Sequence, residues 1–348
     1  MNPVPTAMAC PLPKLDFSEI QLGHGSGGIL MQRLLEPLFG LFANPALSER
    51  HDGAVVSTGG RIAITTDSFV VSPIFFPGGD IGRLAVHGTV NDLAMCGAYP
   101  RYLALGLILE EGLPVLELWK VLCSVREAAD RCSVAIVTGD TKVVERGKGD
   151  RVFLHASGVG DLHPQAAVSA RLISPGDQIL LNGPVGAHGI AILSVREGFA
   201  FESSIESDTA PLHRSVVRLL DRFGTRVHFL RDATRGGLAT VLAEAAQQGS
   251  KGIEVDEARI PVDEEVGSAC EILGLDPLYV ANEGRFVAIV APEIAEEALA
   301  ELRHSGWPKA AAIGAVGEEH PGKVLLRSAI GGKRPLPLLP GEQLPRIC

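Results

Sequence analysis

Four short carboxylates sit beside turns at the edges of apolar segments, in company with a lysine, an arginine and a glutamate. TTDS places Asp67 at the end of an expected strand, and VNDLA places Asn91 and Asp92 on a helix of small apolar residues. TGDTK places Asp140 and Lys142 just after a second strand, and RDATRGG places Asp232 and Arg235 before a helix. A single aspartate in such a position is ordinarily an N-cap or a turn residue. Four together suit Mg²⁺, a hard cation that takes a few carboxylates and completes its shell with phosphate oxygens. Lys142 reads as a solvated charge, a phosphate partner or a proton-transfer group. Glu283, in ANEGR between the apolar runs LYV and FVAIV, reads as a turn residue or as a buried acid–base group with a raised pKa.

The run HGSGG (His24, Gly25, Ser26, Gly27, Gly28) lies within a formal G-x-G-x-x-G match. A dinucleotide fingerprint needs a preceding strand and a long following helix, and Pro37 is expected to cut this helix short. The loop therefore reads as a flexible cover for phosphates, or as a plain turn. There is no Walker A motif: Gly332-Lys333 is followed by Arg334, and Gly322-Lys323 by Val324. NGPVGAHGI (182–190) reads equally as an anion-facing helix start or a strand–helix turn. His24, His87, His155 and His188 lack metal-ligand spacing and read as structural, except that His24 sits in the glycine loop. The sequence ends LPRIC. Cys348 is not a C-a-a-X prenylation site, which needs the cysteine four from the end.

Elements must hold these groups. Strands are expected at 62–66 (buried), 103–109, 133–140 and 151–160, with helices at 80–98 (Asp80 as N-cap, Gly97 as stop) and 114–131. The pattern restarts near 171. Strands follow at 178–182, 252–256, 284–291 and 310–316, with helices at 187–197, 211–223, 236–248, 263–273 and 292–304. This is a mixed α/β or α+β architecture, and 348 residues favour two domains. The expected division is a lead-in at 1–40, an α/β domain at 41–168, an α+β domain at 169–332 and a Pro-rich tail at 333–348. With Pro335, Pro337, Pro340 and Pro345, the tail is expected to be extended and flexible.

A net charge of −10 argues against nucleic-acid binding. No leader pattern or apolar span is evident, so neither secretion nor a membrane is expected. The six cysteines form no C-x-x-C pair and read as reduced cytoplasmic thiols. Cys96, Cys123 and Cys270 read as core residues.

Taken together, HGSGG, TDSFVVSPIFFPGGDIG, NDLAMCGA, ILEEGLP, VTGDTKVV, RDATRGGL, ANEGR and PRIC closely resemble the HypE family of hydrogenase maturation factors, over essentially the whole chain. More broadly the sequence is similar to aminoimidazole ribonucleotide synthetase, formylglycinamidine synthetase, selenophosphate synthetase and thiamine phosphate kinase. TDS, NDLA and DATRGG are shared across that group, and PRIC carries the discrimination. The resemblance implies an N-terminal sheet that pairs with a second copy into a dimeric barrel, a ferredoxin-like C-terminal domain, and ATP with Mg²⁺ between them. It implies a carbamoyl dehydratase that converts an S-carbamoyl group on Cys348 to a thiocyanate, the source of cyanide for [NiFe]-hydrogenase. HypF would load the thiol and the HypC–HypD complex would accept the cyano group.

On this resemblance Asp67, Asp92, Asp140 and Asp232 form the metal and phosphate group. Asn91, Arg235 and the glycine loop join them in nucleotide binding. Glu283 is the base and Lys142 a phosphate-stabilising or proton-relaying group, with the two roles open to exchange. Two other readings compete: a relative acting on a small molecule, and a non-catalytic scaffold.

Overall fold

The computed structural model describes residues 13, 15, 17–25, 29–48, 56–198, 205–328, 330–339 and 347. A 3-10 turn, Leu22–Gly25, precedes α1 (Ile29–Leu41) and α2 (Pro45–Ser48). Helix α1 runs straight through Pro37, against expectation. A proline inside a helix costs about 3 kcal/mol. Leu34, Leu38 and Leu41 share one buried face of α1, and burial of each is worth roughly 1.5–3 kcal/mol, which exceeds that cost.

The first sheet and its helices follow: β1 (Ile62–Phe69), a small ribbon of β2 (Phe75–Phe76) and β3 (Gly79–Asp80), α3 (Ile81–Met95), β4 (Ala98–Glu110), α4 (Val115–Cys132), β5 (Ala135–Val144) and β6 (Val152–Leu162). The strand order is β1-β6-β4-β5. Only β4 and β5 are parallel, joined by the α4 crossover. Asp80 caps α3 as expected, its Oδ1 accepting from the N–H groups of Gly82 (2.7 Å) and Arg83 (3.1 Å). The helices cover one face of the sheet and leave the other open. Strand β1 is accordingly an alternating edge strand and not the buried one expected: Ile62 is 42% and Ile64 67% exposed.

The second half contains β7 (Gln178–Leu181), α5 (Ala187–Arg196), α6 (His213–Phe223), β8 (Val227–Asp232), α7 (Gly237–Gly249), β9 (Gly252–Asp256), α8 (Glu264–Leu273), β10 (Phe286–Val290), α9 (Ala295–His304), β11 (Ala311–Gly317), β12 (Val324–Arg327) and β13 (Lys333–Pro335). The order is β13-β12-β9-β11-β7-β10-β8. Within it β7, β8, β10 and β11 take the ferredoxin-like order 4-1-3-2, all antiparallel, with α7, β9 and α8 as an insertion. Helix α7 packs on one face, and α6 and α9 on the other. Strand β10 is therefore buried at every position, as a central strand with both faces covered must be. Ala94 and Met95 of α3 join the α6–α9 core, which locks the halves together.

Besides the short β2–β3 ribbon, three strands were not expected: β8, β12 and β13. The run 227–232 is broken by His228 and Arg231, which hides its strand pattern. Strands β12 and β13 are short edge pairings. The segment after 330 is thus tied down at its start: Leu336 is buried, and the Tyr279 hydroxyl donates to the Pro337 carbonyl (2.8 Å). Among the described residues no helix is long and apolar enough to cross a membrane.

Candidate active site

A cleft of about 550 Å³ opens between the halves, lined by Asp67 and Asp92 from the first and by Asp232, Arg235, Glu244 and Glu283 from the second. Period-two alternation along β1 sorts its polar residues. Thr66 and Ser68 face the open side of the sheet, where both bond His155 (3.0 Å each). Thr65 and Asp67 face α3, and the Thr65 hydroxyl donates to Asp92 Oδ2 (2.8 Å). Asp67 is inside β1 and not at its end. Asp232 ends β8. Two successive glycines in the left-handed region, Gly236 (φ +71°) and Gly237 (φ +62°), then turn the chain into α7. A Cβ on Gly237 would lie 2.6 Å from the carbonyls of Leu278 and Val280. The turn brings Arg235 to within 3.2 Å of Asp67. Helix α7 starts without a side-chain cap and Thr240 of its first turn lines the cleft, a setting suited to an anion.

Glu283 is positioned by its neighbours. Asn282, fully buried, donates from Nδ2 to the carbonyls of Ala233 (2.8 Å) and Val280 (3.1 Å) and accepts from the Gly186 N–H (2.7 Å). The Glu283 N–H donates to Asp208 Oδ1 (2.9 Å). Gly284 leaves no room for a Cβ, which would lie 1.9 Å from the Asp208 carbonyl. Asp208 in turn pairs with Arg285 (3.4 Å). Asn91 does not line the cleft. Its amide donates to the carbonyls of Ala210 (3.0 Å) and Glu283 (3.3 Å) and accepts from the Leu212 N–H (2.8 Å), clamping α3 to the second half. At 182–190 the turn reading holds: the N–H groups of Gly186 and Gly189 are taken by Asn282 Oδ1 and the Ala281 carbonyl.

These carboxyls crowd one another. Burial, then the charge of Asp92, pushes the Asp232 pKa up to about 7. Burial raises Asp92 despite the Thr65 hydrogen bond. Glu283 is held well above the usual carboxylate range by burial, then by Asp232, Asp208 and Asp67. Such a set fits a divalent cation that would relieve the repulsion. Among the described residues no three His, Cys, Asp or Glu side chains are close enough to cage a metal. The carboxylates by themselves therefore do not complete a cation's shell, and phosphate oxygens and water would have to contribute to it.

The remaining predicted residues lie elsewhere. Asp140 and Lys142 are inside β5, because its ladder with β4 continues to Val144. They form an exposed 3.6 Å ion pair at the edge opposite β1, three strand spacings or roughly 14 Å away. His24 is buried in the 3-10 turn packed on β5, stacked on Phe17 with its Nδ1 accepting from the Gln21 N–H (2.9 Å). Gly25 closes that turn, and a turn in place of a strand rules out a dinucleotide fingerprint. Ser26, Gly27, Gly28 and Cys348 lie outside the described residues. Cys123 and Cys270 are buried as expected, but Cys96 is exposed and lines the cleft. Sequence reasoning missed Asn282 and Asp208. It also gave His188 no role, although its Nδ1 meets the Ser207 hydroxyl (2.8 Å) and its Nε2 the Ile347 carbonyl (2.7 Å).

Two family models match the chain: the AIR synthase related protein N-terminal domain over residues 50–162 and its C-terminal domain over 174–327. The carbamoyl dehydratase HypE of Azotobacter vinelandii is 49% identical over 342 residues, which cover 97% of this chain and 100% of that protein. The chain belongs to the HypE family of carbamoyl dehydratases. A crystal structure of the hydrogenase maturation protein HypE in complex with ATP superposes with a TM-score of 0.91 at 48% identity, covering 94% of this chain and 99% of that one. HypE in a HypE–HypF complex superposes at 0.77 with 43% identity, covering 88% and 99%. The N-terminal family model spans β1 to β6 and the C-terminal one β7 to β12, so the cleft lies between the two HypE domains.

Proposed function

We propose that this protein uses ATP to dehydrate an S-carbamoyl group on Cys348 to a thiocyanate. The overall change is R–S–C(=O)–NH₂ + ATP → R–S–C≡N + ADP + phosphate. The observation that carries this reading concerns Ile347, which is bonded covalently to Cys348. Ile347 is held by His188, one residue from the point where α5 binds Ala281 of the Glu283 loop. The ATP complex of a relative at 48% identity supports the nucleotide.

Hydroxide is a poor leaving group, so the amide oxygen must first take the γ-phosphoryl group. Asp67, Asp92 and Asp232, which do not cage an ion by themselves, would hold Mg²⁺ jointly with the phosphate oxygens of ATP, and the ion when bound supplies charge neutralisation for phosphoryl transfer. Arg235 and the uncapped start of α7 bind and orient phosphate oxygens. Two N–H protons leave the carbamoyl nitrogen: one passes to the departing phosphate, and Glu283, whose carboxylate is made more basic by burial, takes the other as the nitrile forms.

His24, Asp140 and Lys142 gather at β5, away from the cleft in one protomer. We assign them to the cleft of a second copy, across a homodimer formed by the open sheet faces that expose Ile62, Ile64 and Ile108. The working units are then 1–40, 41–168 and 169–332; of the expected tail 333–348, residues 333–337 are fixed to the second sheet, and the arm that carries Cys348 begins after Pro337. HypF, found in complex with a relative, would load the thiol, and HypC–HypD would take the cyano group. The cytoplasm, which supplies ATP and keeps thiols reduced, is the compartment this reading requires.

Mass spectrometry of the Cys348 peptide after carbamoylation tests it. The expected result is loss of one water with Mg-ATP and no loss without it. Glu283→Gln should still bind ATP yet slow that loss about 10²–10⁴-fold. ATP hydrolysis with the carbamoyl group left intact would sink the proposal, as would wild-type turnover in Glu283→Gln.

A further inference from the structure

His188 takes no part in the chemistry above, yet it is fully buried with both ring nitrogens engaged. The Ile347 carbonyl can only accept, so Nε2 carries the proton and donates to it. Nδ1 is then an acceptor, and Ser207 must donate to it. Ser207 Oγ is fixed in turn by the Thr209 N–H (3.2 Å). A chain of three hydrogen bonds thus sets one tautomer and points it at the tail. Burial lowers the His188 pKa and keeps the ring neutral, and Phe76 closes its flank edge-on, with centroids 5.7 Å apart.

The surroundings join both halves of the molecule. The Ser207 N–H donates to the Pro77 carbonyl (2.8 Å), and the next residue, Asp208, accepts from the Glu283 N–H (2.9 Å). The Ile347 side chain is an independent observation. It is 7% exposed within the first-half core, whereas Leu338 and Leu339 are 40% and 38% exposed. Among the described residues past Pro337, burial is confined to Ile347.

We propose that His188, oriented by Ser207, is a positioning residue that latches the peptide group joining Ile347 to Cys348 during dehydration; this rests on the reading that Cys348 carries the carbamoyl group. One neutral hydrogen bond biases a docked–undocked equilibrium by roughly tenfold. That is enough to favour the docked tail and little enough to let it leave for a partner.

The test uses the full chain and three variants: His188→Leu, which removes the donor; His188→Gln, which keeps an N–H; and Ser207→Ala, which removes the group that sets the tautomer. One readout is independent of activity: the rate at which iodoacetamide alkylates Cys348, followed on its own peptide by mass spectrometry. The others are single-turnover dehydration at saturating Mg-ATP and the ATP dissociation constant. In His188→Leu, alkylation should be roughly tenfold faster and dehydration roughly tenfold slower, with ATP affinity unchanged. His188→Gln should recover most of both, and Ser207→Ala should fall between, which keeps the test available if His188→Leu does not fold. Unchanged alkylation in both His188→Leu and Ser207→Ala overturns the latch. So does a joint fall in ATP affinity and thermal midpoint that His188→Gln fails to rescue, which marks a structural histidine. If wild-type chain loses no water while the variants still alter alkylation, the latch stands and the dehydratase reading fails.

Discussion

At the scale of residues, Asp232 is buried beside the charge of Asp92, and its pKa is pushed from 3.8 up to about 7. Between those values the folded chain holds a proton that the unfolded chain has released. The stability this group contributes is therefore full below pH 3.8 and lost as pH rises through about 7. Asp92 and Glu283 are shifted in the same direction. Without Mg²⁺ the protein should lose stability from acid toward neutral pH, and Mg-ATP should reverse the loss by favouring the ionised cluster. Asp232→Asn should be more stable than wild type at pH 8 without metal, by roughly 1–3 kcal/mol, and should lose stabilisation by Mg-ATP. Denaturant unfolding at two pH values measures both; a less stable Asp232→Asn at pH 8 would contradict the assignment. Asp67, Asp92, Asp232 and Glu283 were legible in the sequence because carboxylates are out of place at the edges of apolar runs. His188 was not, since its partner Ile347 lies 159 residues away.

At the scale of elements, the loop before β10 is held by backbone bonds to Ala233 and Gly189 and by the Asn282 side chain. Asn282 alone ties Gly186, Ala233 and Val280 together. Asn282→Ala should destabilise the protein by about 2–4 kcal/mol, since it leaves a buried donor and acceptors unmet. It should also lower the dehydration rate more than the affinity for ATP, because Glu283 loses its mounting. Thermal unfolding and single-turnover assays separate the two effects; wild-type stability would show that the loop is held by other means. Long periodic elements such as α3, α4 and α7 were readable from pattern and caps. Strands β8, β12 and β13 were not, because short strands are defined by their pairing partners. The path of α1 through Pro37 was hidden as well: the apolar face that offsets the proline becomes visible only once the sheet beneath it is known.

For the whole molecule, the sequence order of elements conveyed two α+β halves, but not how the predicted site residues divide between two edges of one sheet. Asp67 and Asp92 serve the cleft, and Asp140 and Lys142 lie on the far strand. Motif spacing carries no record of strand order, so these residues read as one constellation. Ile108→Glu places a charge on the open face at the central strand β4, where Ile108 is 40% exposed in one protomer. The expected outcome by light scattering is a monomer that keeps its fold and loses dehydration at least tenfold. A dimer with full activity would remove the paired-sheet arrangement.

The tether at Pro337 has a geometric consequence. Tyr279 holds that carbonyl against the second sheet, so the stretch up to Cys348 spans eleven residues. Fully extended, that is at most about 40 Å. Every protein that exchanges a group with this thiol must settle inside a sphere of that radius centred on one spot of the surface. On the proposed reading, a donor and an acceptor that never touch each other must each bring a site within this reach, and they compete for the single thiol that it carries.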